Sequence, residues 1–199
     1  MSSHAYLKRL MKKRIKVNGD VFVVMITERR IRAKVKELAR RINRDYKGTV
    51  PVFIGILNGS FIFFADPIRE ITIDCEVDFL KLSSYGDAKI SSGDVTLLKD
   101  LNCQVEGRDI VIVEDVVDSG LSMQYIKDII LRQNPKSFRI VTLLYKKEAV
   151  KLPVSLDYVG FEIPRDFVVG YGLDYAQRVR NLKSIYRLSE QERKRSKSS

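Results

Sequence analysis

A chain of 199 residues, 45% hydrophobic and 31% charged, has the size and balance of one soluble globular domain, able to bury about 70% of the surface its unfolded form exposes. No apolar run approaches the roughly 20 residues a membrane span needs. Cys75 and Cys103 stand far apart without a CxxC pair, and His4 is the only histidine. Zinc sites, disulfide frameworks and Ser-His or Cys-His catalysis in the core are therefore excluded, and a reducing cytoplasm fits best. The net charge of +11 resides in the ends: residues 1–20 and 175–199 hold 14 Lys/Arg against 3 Asp/Glu, while the rest holds 22 of each sign. Such ends attract phosphates non-specifically. The expectation is a single domain over 1–199 with solvated basic ends at 1–20 and about 189–199, and no specific nucleic-acid partner.

Val21–Ile26 is an apolar, β-branched run that predicts a strand. From Thr27 to about Tyr46, Ile31, Val35, Leu38 and Ile42 fall at helical spacing. Thr27 suits the N-cap and Gly48 the stop. Val50–Leu57 reads as a strand buried on both faces. After Asn58-Gly59-Ser60, Phe61–Ile71 has helical length, and Pro67, lacking an N–H for Phe63, should kink or end it. Glu76–Leu82 predicts another strand. Residues 83–94 are small and polar, a loop long enough to suggest function. Ile110–Val113 is a short apolar strand, followed by an acidic turn and a helix through Tyr125, Ile126, Ile129 and Ile130. Arg139–Leu144, Tyr158–Ile163 and Phe167–Tyr171 repeat the strand theme. Strands alternating with helices predict an α/β fold, a mainly parallel central sheet flanked by helices, with ligands beyond the carboxyl ends of the strands.

The chemistry concentrates in Val111-Ile112-Val113-Glu114-Asp115-Val116-Val117-Asp118-Ser119-Gly120-Leu121-Ser122. A strand ends in two adjacent carboxylates, and a third opens a Ser-Gly-x-Ser turn leading into a helix. Gly120 permits tight backbone geometry. The N–H groups from Asp118 through Leu121 to Ser122, with the Ser119 and Ser122 hydroxyls, can surround a phosphate in the favourable field of a helix N-terminus. Glu114 and Asp115 can accept hydrogen bonds from vicinal sugar hydroxyls, directly or beside a bound cation. The composite suits a phosphorylated ribose. It matches neither G-x-G-x-x-G nor G-x-x-x-x-G-K-[ST], so dinucleotide-binding and P-loop readings lose their support.

This segment resembles the phosphoribosyl-pyrophosphate motif of the type I phosphoribosyltransferases, and its Glu-Asp pair resembles the hypoxanthine-guanine branch. Ile56-Leu57-Asn58-Gly59-Ser60-Phe61 is similar to that branch's pyrophosphate loop, and Leu82-Ser83-Ser84-Tyr85-Gly86 to its mobile catalytic loop. Leu143-Leu144-Tyr145-Lys146 is similar to the strand presenting a base-reading lysine. Gly160–Pro164, Phe167–Tyr175 and Arg180 resemble the base-binding end. Ordered matches run from about Thr27 to Arg180.

The resemblance implies the family's fold, with a small hood formed by the chain ends. It also implies purine salvage: transfer of the 5-phosphoribosyl group from phosphoribosyl pyrophosphate to N9 of hypoxanthine or guanine, with Mg2+, in a homodimer or homotetramer. By resemblance, Asp118 handles the proton on purine N7, Lys146 donates to the 6-oxo group, Phe167 stacks on the base, and backbone near Val168 and Asp174 reads its other edge. Asp174 holds magnesium, with Glu114 and Asp115 near the ion. Leu57, Asn58, Gly59 and Arg180 bind pyrophosphate, and Ser84 and Tyr85 lie on a lid.

Asn58 departs from the lysine common in the family's pyrophosphate loop, so contacts there fall to backbone N–H groups, Ser60, Arg180 and the ion. The family's loop often holds a non-proline cis peptide, which by resemblance falls at Leu57–Asn58. Two rivals share the scaffold: a nucleic-acid-binding regulator, which the +11 charge favours slightly, and an enzyme preferring xanthine or another base. Lys146 disfavours adenine, whose 6-amino group also donates.

Overall fold

The computed structural model describes residues 14–84, 95–152 and 154–190. Tyr85, most of the predicted 83–94 loop and the outer parts of both basic ends lie outside them. The chain divides into two compact units, Lys34–Arg165 and a terminal unit of Met1–Ala33 with Asp166–Ser199.

The larger unit is built on a six-stranded sheet. Its strands are β3 (Val52–Leu57), β4 (Glu76–Ser84), β5 (Val95–Lys99), β6 (Asp109–Val117), β7 (Ser137–Tyr145) and β8 (Tyr158–Glu162), in the order β5-β4-β3-β6-β7-β8. All neighbours are parallel except β5, which runs antiparallel to β4 at the edge. The near-continuous apolar runs follow from burial on both faces: Val52, Ile54, Ile110, Val111, Ile112 and Val113 are fully covered, each contributing roughly 1.5–3 kcal/mol. Because β3, β6 and β7 are adjacent and parallel, the segments after Leu57, Val117 and Tyr145 emerge at one edge of the sheet.

Among the described residues there are three α-helices: α1 (Glu28–Asp45), which begins in the terminal unit, α2 (Phe61–Glu70) and α3 (Leu121–Leu131). In α1 the predicted stripe of Ile31, Val35, Leu38 and Ile42 is buried, and Thr27 Oγ1 accepts a bond from the Arg30 N–H at 3.4 Å, the expected cap. In α3, Met123, Ile126 and Ile130 join the main core with Val117 and Ile140. Pro67 does not end α2, which continues to Glu70 with the proline buried beside Phe63 and Phe64. The helix forgoes one hydrogen bond there, and the aromatic packing holds it.

The terminal unit carries an antiparallel sheet of β1 (Arg14–Val17), β2 (Asp20–Ile26), β9 (Val168–Val169) and β10 (Ile185–Leu188), in the order β1-β2-β10-β9. Val17, Phe22, Val169 and Tyr186 form its core. The chain ends thus make a small antiparallel sheet of their own. The strand predicted over Phe167–Tyr171 shrinks to two residues, because Gly170, Tyr171 and Gly172 all take positive φ (93°, 54° and 102°) and turn the backbone away. Strands β1, β5 and β10 were not anticipated. Among the described residues no helix is long and apolar enough to cross a membrane. Cys75 and Cys103 are both free.

Candidate functional site

In the larger unit the acidic segment stays extended further than expected. Strand β6 runs through Glu114 and Asp115 to Val117, because Glu114, Val116 and Val117 still pair with Thr142, Leu144 and Tyr145 of β7. The acids are therefore held by a sheet strand rather than by a turn. Asp115 is 6% exposed, and its Oδ1 accepts the Val116 N–H at 2.9 Å. The Oε2 of Glu114 is buried with no hydrogen-bond partner. Burial, then the adjacent Asp115 carboxylate, pushes the Glu114 carboxyl well above the usual range.

The turn begins at Asp118. Gly120 takes φ +84° as the N-cap of α3, a left-handed conformation that glycine adopts without Cβ strain. The Ser119 hydroxyl accepts the Leu121 N–H at 3.4 Å. The helix thus starts from a glycine corner whose outer face carries Asp118, Ser119 and Ser122. Opposite it, Lys146 follows directly on β7; its backbone N–H donates to the Val117 carbonyl at 2.9 Å, and its ammonium lies 2.6 Å from Asp118 Oδ2. The lysine side chain is 12% exposed and the aspartate 52%. The expected proton-handling and base-reading groups therefore meet.

The neighbouring turn after β3 meets the acids from the other side. Its Leu57–Asn58 peptide is cis, at the bond expected. A Cβ added at Gly59 would fall inside the Asp115 carboxylate, so only glycine lets this loop lie against that acid. Ser60 donates its hydroxyl to the Ile56 carbonyl at 2.5 Å and is buried, which leaves its side chain pinned to the strand end. The backbone of Ser84 ends β4, opposite Val95.

The terminal unit holds the other predicted residues. Phe167 is 48% exposed and has Tyr175 edge-on at 5.4 Å. The Tyr175 hydroxyl donates to Asp20 at 3.0 Å, fixing that ring. Val168 is buried in β9. Asp174 and Arg180 form an ion pair at 2.7 Å, Asp174 also accepts the Gln177 N–H at 2.8 Å, and Arg180 donates to the Gly172 carbonyl at 2.8 Å. Two groups expected to serve an ion and a pyrophosphate thus bind each other and shape the 172–180 loop. Tyr175 falls in the segment expected to bind the base, but its partner Asp20 was not foreseen, since nothing local marks a carboxylate 155 residues away.

A magnesium ion suits this donor set as an ion shared with substrate. No group of three or more His, Cys, Asp or Glu able to hold a metal exists among the described residues, but magnesium commonly takes one or two carboxylates and completes its shell with water and phosphate oxygens. The unpartnered Glu114 Oε2 is one carboxylate oxygen of that kind, and Asp115 follows it in β6.

The chain is similar to known proteins over most of its length. The phosphoribosyl transferase domain model matches residues 25–176. A hypoxanthine-guanine phosphoribosyltransferase of Bacillus subtilis is 48% identical over 166 residues, covering 83% of this chain and 92% of the relative. A hypoxanthine phosphoribosyltransferase of Escherichia coli is 46% identical over 164 residues, covering 81% and 92%. The crystal structure of a Bacillus anthracis hypoxanthine-guanine phosphoribosyltransferase superposes with a TM-score of 0.80 at 43% identity, covering 83% of this chain and 98% of that one. The chain belongs to the phosphoribosyltransferase family, in its hypoxanthine-guanine branch. The purine-salvage activity and enzyme class expected from the sequence are those of this branch.

Proposed function

We propose that the protein binds phosphoribosyl pyrophosphate and a 6-oxopurine and makes IMP or GMP. The 5-phosphate sits on the N–H groups of Asp118–Ser122 at the start of α3. Glu114 and Asp115 accept hydrogen bonds from the ribose hydroxyls. Backbone groups of Leu57, Asn58 and Gly59 hold the pyrophosphate; the resemblance assigns Arg180 to the pyrophosphate as well and Phe167 to the base. Purine N9 attacks the ribose C1; the C1–N9 bond forms as the C1–O bond to pyrophosphate breaks. Lys146 donates to the 6-oxo group while Asp118 takes the N7 proton, so charge is met at both base atoms. Glu114, Asp115 and Asp174 are the residues that would hold magnesium, and the ion would supply positive charge to the leaving pyrophosphate. The resemblance assigns Ser84 and Tyr85 to shielding the reacting ribose from water, and Tyr85 lies outside the described residues. The reading places the protein in the cytoplasm, where free Cys75 and Cys103 stay reduced, as a homodimer or homotetramer.

The observation that carries this reading is the Asp118–Lys146 pair at the lip of a glycine-cornered helix start. A base panel tests it: purified protein, magnesium and phosphoribosyl pyrophosphate are offered hypoxanthine, guanine, xanthine and adenine in turn. Nucleotide should form with hypoxanthine or guanine, and adenine should fail. Preference for xanthine or adenine, or no product at all, contradicts the assignment.

A further inference from the structure

The phosphate turn has a back as well as a face, and nothing in the activity described so far accounts for it. Behind Gly120 lies the chain that follows Lys146. A Cβ at Gly120 would meet the Leu152 carbonyl oxygen at 2.8 Å, Val154 Cγ2 at 3.0 Å and Val150 Cγ1 at 3.7 Å. The N–H groups of Lys151 and Leu152 both donate to the Ser119 carbonyl, at 3.0 and 3.4 Å. The same stretch is anchored at its two ends. Lys146 N–H bonds the Val117 carbonyl, and Asp157 exchanges two bonds with Ile140 of β7: its N–H to the Ile140 carbonyl at 3.1 Å and its carboxylate from the Ile140 N–H at 2.9 Å. Val150 and Val154 pack against the main core. A left-handed corner is thus pressed into place from behind by two valines and a carbonyl.

We infer that Val154, with Val150 beside it, is a positioning residue for phosphate recognition: it holds Gly120 so that the N–H groups of the turn converge on one point. Neither valine touches the substrate. They act through Gly120 and Ser119, and they lie on the chain that leaves the base-reading Lys146. Removing the wall lets the corner relax, and N–H groups aimed at a phosphate lose their common focus. The inference rests on the reading that this turn binds the donor's phosphate.

Three variants test it: Val154→Ala, Val150→Ala and Val154→Ile. Val154→Ala should raise KM for phosphoribosyl pyrophosphate by about ten-fold, with KM for hypoxanthine and kcat within about two-fold of wild type. Val150→Ala should act in the same direction but less, because its methyl lies further from Gly120. Val154→Ile restores the wall and should restore the donor KM. Calorimetric affinity for phosphoribosyl pyrophosphate without base should follow the same order, and this readout needs no turnover. A merely structural role would lower the melting temperature and shift both substrates' KM together, and that result overturns the inference, as does an unchanged donor KM in Val154→Ala. Wild-type protein that binds no phosphoribosyl pyrophosphate would instead bring down the reading of the turn, and this inference with it.

Discussion

The Asp118 carboxylate, half in solvent, reaches across 2.6 Å to a Lys146 ammonium that is almost covered. Two groups of opposite charge, each just past the end of one of the neighbouring strands β6 and β7, close on each other. Asn in place of Asp118 keeps the shape but cannot take a proton. Asp118→Asn should lower kcat by about 10- to 100-fold while leaving the affinity for phosphoribosyl pyrophosphate near that of wild type. Steady-state kinetics with a separate donor-binding measurement checks this; an unchanged kcat removes Asp118 from the chemistry.

Gly59 is a second point of tight dependence. Its Cα lies against the buried Asp115 carboxylate, so an added methyl must displace either the loop or the acid. Gly59→Ala should reduce kcat/KM by about 100-fold, since a misplacement of about 1 Å at a site can cost that much. The sheet beneath is untouched, and the far-ultraviolet circular dichroism spectrum should stay that of wild type. Full activity in this variant would mean that Asp115 has room to move without consequence.

Asp78 gives a stability prediction with a defined sign. The side chain is 8% exposed, and burial disfavours its charge. The N–H groups of Cys103, Phe79 and Asn102, with the Lys99 ammonium, outweigh that and hold its carboxyl far below the ordinary value. A carboxyl depressed by folding adds stability above its unfolded pKa of about 3.9 and loses it as pH falls below that. Asp78→Asn should therefore cost about 2–3 kcal/mol at pH 7, and the gap to wild type should narrow as pH drops from 5 to 3. Urea midpoints across that range measure it; a gap that widens in acid contradicts the sign.

Phe167 presents half of its surface, with Tyr175 edge-on behind it. Stacking on a base is worth about 1–3 kcal/mol, so Phe167→Ala should raise KM for hypoxanthine by about ten-fold. KM for phosphoribosyl pyrophosphate should hold. Equal rises in both constants would assign this ring to the terminal unit's packing instead.

Much of this was legible in the sequence because it is local. Strand β3 and the first half of β6 announce themselves as apolar runs, β7 does so less cleanly around Arg139 and Thr142, and the Glu114–Ser122 segment carries its acids, glycine and hydroxyls within nine residues. What escaped is what joins distant segments. β1 and β10 are four-residue strands interrupted by Arg14, Lys16 and Arg187, and β5 is a sheet edge whose Leu98 faces out. A strand of four or five residues shows only two or three alternations of apolar and polar positions, so its pattern is weak. The contact of Gly59 with Asp115, the two N–H groups on the Ser119 carbonyl and the Asp174–Arg180 pair leave no periodic trace. Of the two outcomes expected at Pro67, a kink or an end, the end does not occur, because the rule against proline in a helix counts one hydrogen bond and a clash and leaves out the burial of Phe63 and Phe64.

The placing of β6 between β3 and β7 also governs how the molecule can be made. A growing chain delivers β6 before any of β7 has been synthesised, and until Phe138–Tyr145 arrives the Ile110–Val117 edge has no partner on that side. A polypeptide stopped short of that point would show an open, apolar strand edge, the template on which unfinished chains pair with one another. Truncations within β7 should therefore be recovered as insoluble material, with no half-working enzyme among the products.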